Sequence, residues 1–277
     1  MSNVTTDAPL SRVRPRPRLR PRTGPGPLPA GGGLTGAVAA EWTKLWSLRT
    51  PYVCLAAGIL LTGVFTFYYG SLARIDDEPL QPLGNAPACS VLLGQFVFVV
   101  LAMTTVTGEY VTGSVRTSLL WVPVRYRVQL AKSAVVAAVC FPAGTAYAVL
   151  GMAVAWTPFR GHATFAPAEA AAQALATGLY CALIGVLTVG VSFALRSAAA
   201  TLSVLFVLLS GLPSACTALG GGFLLTVNDY LPQTAGGHFT IVDGLAPYPP
   251  VAAILIMAAW AAAAQLAGRS VLRLRDA

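Results

Sequence analysis

The feature that most constrains this chain is a series of six long runs without a charged residue. Each run has at least 24 residues, and about 20 predominantly apolar residues are enough to cross a bilayer as a helix. Backbone groups in lipid must be hydrogen-bonded within the protein, and the alternation of barrel strands is absent, so the runs predict helices. We therefore predict an all-α membrane protein with six transmembrane helices, at about 52–70, 89–108, 134–157, 170–194, 198–222 and 249–268.

The composition excludes other classes of protein. Hydrophobic residues make up 56% of the 277 residues, charged residues only 10%, and the mean hydropathy is +0.68. A soluble domain carries about 25% charged residues, so this chain is not a soluble enzyme, a disordered protein or a disulfide-stapled secreted domain. The five cysteines stand singly in apolar stretches, which predicts apolar filler rather than disulfides or a zinc site.

The positions of the basic residues predict the orientation of the helices. With both chain ends in the cytoplasm, the inner segments hold 16 of the 18 lysines and arginines; these segments are 1–51, 109–133, 195–197 and 269–277. The outer segments then hold only Arg74 and Arg160, as the excess of positive charge inside requires. We expect a multi-pass protein of the plasma membrane with both termini cytoplasmic.

Two regions follow from the charge pattern. Residues 1–36 contain six arginines interleaved with prolines, and proline removes donors while the arginines repel one another, so we predict a disordered cytoplasmic tail. The tail either tethers the chain to anionic headgroups or only sets its orientation. No apolar core follows it before Tyr52, so we do not expect a cleaved signal peptide. Residues 37–277 form the predicted six-span domain.

The chain lacks the residues that membrane enzymes and pumps need. Neither of its two lysines, Lys44 and Lys132, lies in a phosphate-binding G-x-x-x-x-G-K-[ST] motif. The predicted transmembrane helices contain no ionisable residue, and both histidines, His162 and His238, fall in predicted outer loops. We expect no enzyme activity, no catalytic, cofactor-binding or metal-binding residue in this chain, and no nucleic acid as a partner.

An amphipathic helix is predicted over residues 37–50, directly before Pro51. One side carries an apolar strip at helical spacing, which consists of Val38, Trp42, Leu45 and Trp46, and Arg49 follows on the same side. The other side carries Glu41, Lys44 and Ser47. A helix with two tryptophans and basic residues suits the headgroup level of a membrane. It is either a plain anchor or an elbow that also contacts a cytoplasmic partner.

The longest inner loop, residues 109–132, is far longer than a connector needs to be. We predict a short helix over residues 110–121 that carries Arg116 and is stopped by Pro123, after which Arg125, Arg127 and Lys132 lead into the next transmembrane helix. Long loops in compact folds are usually functional. A projecting helix of this kind fits a groove on a soluble motor; the alternative is a loop that only enforces the orientation of the chain.

Several short motifs together resemble the type-2 ABC exporter permease family, over nearly all of residues 37–277. In the inner loop they are Gly108-Glu109, Gly113-Ser114-Val115-Arg116, Pro123, Arg125 and Ala131-Lys132. Before the first predicted span they are Glu41-Trp42-x-Lys44 and Ser47-x-Arg49. Before the last span they are Tyr230-Leu231-Pro232 and Ala235-Gly236, and the closing motif is Arg273-x-Arg275-Asp276. Serine at position 114, where threonine is common, departs from the family pattern.

The resemblance implies the membrane subunit of an ATP-driven exporter. A second permease, identical or different, and a separate ATP-binding cassette subunit would be its partners, besides membrane lipids, and ATP would act only through that subunit. The implied coupling residues are Glu109, Gly113, Arg116, Pro123, Arg125 and Lys132, and the implied elbow residues are Glu41, Trp42, Lys44, Trp46 and Arg49. We also hypothesise that Glu109 pairs with a basic residue of the elbow or of the loop.

The third predicted outer loop, 223–248, is too apolar for a solvated connector. It either dips back into the bilayer as an outer gate, for which we single out Tyr230, Pro232 and Gly236, or it is a flexible connector. Two other functions stay open for the whole chain. One is a membrane scaffold or assembly protein that transports nothing, and the other is a carrier or channel that works without ATP.

Overall fold

The computed structural model describes residues 33–113 and 125–274, and almost all of them are helical. The first part contains α1 (Gly33–Ser47), α2 (Thr50–Ile75), α3 (Asn85–Gly94) and α4 (Phe96–Thr112). The second part begins with α5 (Arg125–Ala155), α6 (Pro167–Leu195) and α7 (Ala198–Phe206), followed by a π-helical turn (Val207–Gly211). It ends with α8 (Leu212–Leu219), α9 (Gly222–Asp229), α10 (Pro232–Thr240) and α11 (Pro250–Leu274).

Among the described residues, five helices are long and apolar enough to cross a membrane; they are α2, α5, α6, the run 198–219 and α11. A sixth crossing results if α3 and α4, which are bent by 42° where they meet, act as one span. The prediction of an all-α, multi-pass membrane protein is confirmed at this level. The second predicted span differs from a simple helix because Gln95 separates its two halves.

The segment between α4 and α5 is shorter than the loop that the sequence predicts. Helix α4 continues to Thr112 and α5 already begins at Arg125, so Glu109 and Lys132 belong to helices rather than to a loop. The prediction that a separate helix starts at Tyr110 is wrong, because residues 110–112 continue α4. Gly113 then ends this helix in a left-handed conformation, at φ 71°, which glycine adopts without steric cost.

Close helix packing builds the core around α6, the most buried of the candidate spans. A Cβ atom on Gly144 of α5 would lie 2.6 Å from the sulfur of Cys181 in α6, and one on Gly190 of α6 would lie 2.5 Å from the carbonyl carbon of Ala264 in α11. Small residues therefore allow the helices to approach each other closely at these crossings. All five cysteines are free, and all but Cys89 are buried.

Two prolines within the apolar runs, Pro142 and Pro213, have different effects on their helices. Helix α5 runs through Pro142 without a break. Pro213 follows the π-helical turn at Val207–Gly211. Proline has no N–H to donate one turn back, and a π turn is a common way to accommodate such a disturbance in a helix.

Short strands and helices cover the end of the bundle at which α2 and α5 finish. The strands β1 (Gln81–Pro82) and β2 (Ala163–Thr164) pair in parallel and join the segments that follow α2 and α5. The segment before α11 forms α9 and α10, so it is not an irregular connector. Helix α10 buries Pro232, Gly236 and Phe239 against its neighbours.

Candidate functional site

Four charged side chains from three helices meet where α1 crosses α4 and α5. Helix α1 contributes Glu41 and Lys44, α4 contributes Glu109, and α5 contributes Lys132. We call these four residues the charge cluster. Its members are 3 to 91 positions apart in the sequence, so only the packing of the helices brings them together.

Lys132 is the centre of the charge cluster. Its Nζ atom lies 2.6 Å from Oε2 of Glu41 and 2.8 Å from Oε1 of Glu109. It also donates to the carbonyl oxygen of Thr105, one turn before Glu109, at 2.9 Å. Three acceptors from α1 and α4 therefore surround the ammonium group of a residue that belongs to α5.

Lys44 closes the charge cluster on its outer side. Its Nζ atom lies 2.7 Å from Oε1 of Glu41 and 3.0 Å from Oε1 of Glu109. Burial alone would lower the pKa of Lys44, but hydrogen bonds and charge attraction from Glu41 and Glu109 outweigh it and the pKa is raised. Lys44 is thus cationic at neutral pH, and two positive charges face two negative ones.

The charge cluster is largely buried, and its ion pairs hold three helices together. The side chain of Lys132 is only 2% exposed and that of Glu41 only 8%, whereas that of Lys44 is 46% exposed. Desolvating an ion pair costs free energy that only good geometry and further hydrogen bonds offset, and removing one partner leaves a buried charge uncompensated. The short distances and the additional hydrogen bonds of Lys132 provide this compensation. Separating α1, α4 and α5 would therefore cost the free energy of leaving a buried charge unpaired.

A cavity of about 460 Å³ lies beside the charge cluster. Its walls are mainly apolar and include Leu45 and Leu48 on one side and Val135 and Val136 on the other. The apolar walls lower the effective dielectric constant around the charges, which strengthens the ion pairs relative to an open surface. Residues of α1, α4 and α5 all line this cavity.

The predicted coupling residues are only partly brought together. Glu109 and Lys132 lie in the charge cluster, and the hypothesis that Glu109 pairs with a basic residue of the elbow or of the loop is confirmed by Lys44 and Lys132. Gly113 lies at the end of α4, one turn beyond Glu109. Arg125 is the first residue of α5. The remaining two predicted residues, Arg116 and Pro123, lie outside the described residues.

The predicted elbow residues take two different positions, and one expectation is wrong. Glu41 was expected to lie opposite the apolar strip, yet the buried side of α1 consists of Ala37, Glu41 and Leu45. Glu41 turns inward because Lys132 neutralises its carboxylate there. Trp42 is 43% exposed and packs edge-on against Trp46. Arg49 is exposed in the turn between α1 and α2.

The three predicted gate residues lie at the far end of the bundle. The carbonyl of Tyr230 accepts a hydrogen bond from Nε1 of Trp260 in α11 at 2.9 Å. Pro232 begins α10, and Gly236 lies in its middle. A Cβ atom on Gly236 would lie 2.1 Å from the ring of Tyr180, so only glycine allows α10 to approach α6 this closely.

A second contact at the end of α4 was missed by sequence reasoning. The guanidinium of Arg196, between α6 and α7, lies 5.5 Å from the ring centre of Tyr110, directly after Glu109. It also donates to the carbonyl of Val271 in α11 at 3.4 Å. The end of α4 is thereby joined to a further part of the bundle. The signal in the sequence was Arg196 itself, the one charged residue between two apolar runs.

Sequence reasoning also missed a set of amide and hydroxyl groups that bond between helices. Five are buried, namely Asn85, Gln95, Gln129, Gln173 and Tyr180, and two are partly buried, namely Gln233 and Gln265. Their signal was present, because an amide within a long apolar run must find a partner on another helix. Among the residues that the structure describes, no group of three His, Cys, Asp or Glu side chains is placed to hold a metal ion.

Compared with known proteins, the chain matches no family model and no curated protein at a significant level of similarity.

Proposed function

We propose that this chain is the permease subunit of an ATP-driven ABC exporter of the type-2 family, and that it receives the motion of a separate ATPase through α1 and the inner end of α4. The observation that carries the proposal is the charge cluster. An ATPase pushing on either helix would move the other, because Lys132 holds Glu41 and Glu109 together at 2.6 and 2.8 Å.

The position of the charge cluster supports this function over a plain membrane anchor. An anchoring helix needs only an apolar face and basic residues at the headgroups, whereas α1 directs a carboxylate inward to a buried lysine. A buried ion pair is weak evidence for stability, so we assign to this pair a role in positioning α1 against the spans. The exposed side of α1 stays available for a soluble partner.

The family motifs add support, since four of the residues that carry the resemblance meet in the charge cluster; they are Glu41, Lys44, Glu109 and Lys132. Both termini and the charge cluster would lie in the cytoplasm, and the plasma membrane would be the location. The translocation path would lie between two permeases, where a bulky apolar or amphiphilic substrate passes walls without charged ligands.

The experiment that tests the proposal is purification of the chain in mild detergent, identification of co-purifying proteins by mass spectrometry, and an ATPase assay in lipid nanodiscs. We expect a soluble ATP-binding protein that binds the chain and hydrolyses ATP faster in its presence. Binding without a change in turnover would instead indicate a scaffold. Transport by the chain alone in vesicles without ATP would indicate a carrier.

A matched pair of variants then assigns the coupling. Glu109→Gln keeps the shape of the side chain but removes the negative charge that pairs with Lys44 and Lys132. We expect the stimulated ATPase rate to fall about tenfold, which corresponds to a typical coupling free energy between two sites. Glu78→Gln changes an exposed residue at the opposite end and should leave that rate unchanged. Charge reversal at Arg116 should also uncouple transport without abolishing insertion. Full stimulation in Glu109→Gln would remove the assignment to the charge cluster.

A further inference from the structure

Helices α3 and α10 run antiparallel and are joined at both ends by side-chain amides. At one end, Asn85 donates from Nδ2 to the carbonyl of Val242 and accepts from the N–H of Val242, both at 3.0 Å. At the other end, Nε2 of Gln95 donates to Oε1 of Gln233 at 2.9 Å. Asn85 and Gln95 are 2% and 0% exposed, so both connections are shielded from water.

Gln95 lies at the 42° bend between α3 and α4. Its side-chain nitrogen also donates to the carbonyl of Leu92, one turn earlier, at 2.7 Å. The residue that interrupts the second span is thus the residue that holds α10. Sharp bends in helices occur where a side chain inserts into the hydrogen-bond ladder, and the Gln95 amide meets that description.

Helix α6 holds this pair of helices from the other side. Gln173 donates to Oδ1 of Asn85 at 2.9 Å, and the hydroxyl of Tyr180 donates to Oε1 of Gln95. Gln173 and Tyr180 are seven residues apart, two turns along one face of α6. The ring of Tyr180 also fills the space that Gly236 leaves open and packs edge-on against Phe239, with 6.3 Å between ring centres.

We infer that α3 and α10 form one rigid body hinged at Gln95, and that Tyr180 and Gln173 of α6 are the positioning residues that latch this body in the state described. The inference deepens the proposed function, on which it rests, by assigning the mechanism of the outer gate. Release of both polar contacts removes the hold of α6 on this body. The body then turns about Gln95 by sliding against α2, where the hydroxyls of Thr66 and Ser90 lie 2.7 Å apart, while the amides of Asn85 and Gln95 keep α10 attached to α3.

The hinge connects the outer end of the bundle with the charge cluster. Helix α4 begins directly after Gln95 and carries Glu109 in its last turn. Its 17 residues span about 25 Å at the rise of an α-helix. A tilt of α4 imposed at the charge cluster therefore reaches Gln95 through one rigid helix. Coupling between the two ends of α4 requires an element with two discrete arrangements, and here these are the latched and the released states of the body formed by α3 and α10.

Alkylation of native cysteines tests the latch in the purified chain, without ATPase or substrate. Cys89 lies on α3 and is partly exposed, whereas Cys140 in α5 is 0% exposed. We expect Tyr180→Phe, which removes only the hydroxyl, and Gln173→Leu each to speed alkylation of Cys89 by roughly two- to tenfold, the effect of one buried hydrogen bond. Peptide mass spectrometry reads each cysteine separately.

The controls separate release of the latch from general loosening. Cys140 should stay protected in both variants, since a loosened bundle would expose it too. Gln129→Leu removes a comparable buried amide, which donates to Gln265 at 2.7 Å in another part of the bundle, and should leave Cys89 unchanged. Equal Cys89 rates in the parent chain and in both latch variants, or a parallel rise at Cys140, would overturn the latch.

A crosslink tests whether α3 and α10 move together. A Cβ atom on Gly237 would lie 3.7 Å from Cδ1 of Leu92, so Leu92→Cys with Gly237→Cys suits a short bifunctional thiol reagent. We expect the same crosslinking yield with and without Tyr180→Phe, and a reduced yield in Tyr180→Phe would show two separate bodies. A chain with an intact latch but no ATP-dependent transport would remove the proposed function and leave the latch standing.

Discussion

Nζ of Lys132 lies 2.6 Å from Oε2 of Glu41, although 91 positions separate the two residues in the sequence. The pair joins the first described helix to the beginning of α5. It is also nearly dry, since the two side chains are 2% and 8% exposed. Its contribution to stability and to coupling can therefore be measured by changing one partner at a time.

Glu41→Gln is expected to lower the free energy of unfolding by about 2 kcal/mol, because it leaves the buried ammonium of Lys132 with one carboxylate instead of two. The melting temperature of the purified protein in detergent is the measurement. Glu78→Gln makes the same chemical change on an exposed residue and should leave the melting temperature unchanged. Equal melting temperatures for the two variants would contradict the burial of this pair.

The double variant Glu41→Gln with Lys132→Met is expected to be less destabilised than the sum of the two single variants. Once Lys132 is replaced by an apolar side chain of similar length, the carboxylate of Glu41 loses its buried partner, so its removal costs less. Neighbouring residues of one network show coupling of about 0.5–3 kcal/mol. Denaturation of the four chains measures it, and additive effects would show that the two groups do not interact.

Gly236→Ala is expected to destabilise the protein by about 1–3 kcal/mol, as overpacking of a core does. The added methyl group would lie 2.1 Å from the ring of Tyr180, which is 1% exposed. Gly237→Ala is the matched control, since the nearest atom to its Cβ would be 3.7 Å away. Melting temperatures measure both, and equal values would place α10 farther from α6 than described.

Gly190→Ala is expected to separate α6 from α11, because the added methyl group would meet backbone atoms of Ala264 and Gln265 at 2.5–2.6 Å. Backbone cannot rotate away as a side chain can, so we expect a loss of about 2 kcal/mol or more. Gly63→Ala in α2 has no atom within 4 Å and should be neutral or slightly stabilising. Thermal unfolding of the two variants decides whether the crossing is this close.

Thiol counting is expected to find five reactive cysteines in the denatured chain without any reductant, since all five are free. In the folded protein Cys89, which is partly exposed, should react faster than the other four, because Cys54, Cys140, Cys181 and Cys216 are buried. Titration with a chromogenic disulfide reagent gives both numbers. Fewer than five thiols in the unfolded chain would indicate a disulfide.

Part of this architecture is readable from the uncharged runs. A chain segment without charges that is long enough to cross a bilayer has to be helical, because lipid offers its backbone no hydrogen bonds. That requirement is local, so it locates helices such as α2, α6 and α11 to within a few residues. It did not find the end of α4 at Gly113, because the apolar pattern of residues 110–121 favoured a helix that runs through this glycine.

The periodicity of α1 was misleading for a physical reason. Hydrophobic periodicity places the apolar strip against the bundle and Glu41 away from it. A carboxylate can nevertheless be buried when an ammonium group inside the bundle pairs with it. Whether Lys132 is that group depends on how α5 packs against α1. No property of residues 33–47 alone contains this information.

The buried amides also show which features the sequence predicts and which depend on the tertiary structure. Glutamine and asparagine within apolar runs announce that partners exist, yet the partners of Asn85 and Gln95 lie 157 and 138 positions away. Secondary structure and membrane class depend on short stretches of chain and on the solvent around them, so the order of residues was sufficient for both. The bend at Gln95, the inward turn of Glu41 and the approach of α10 to Tyr180 depend on which helix faces which, and packing in three dimensions alone decides that.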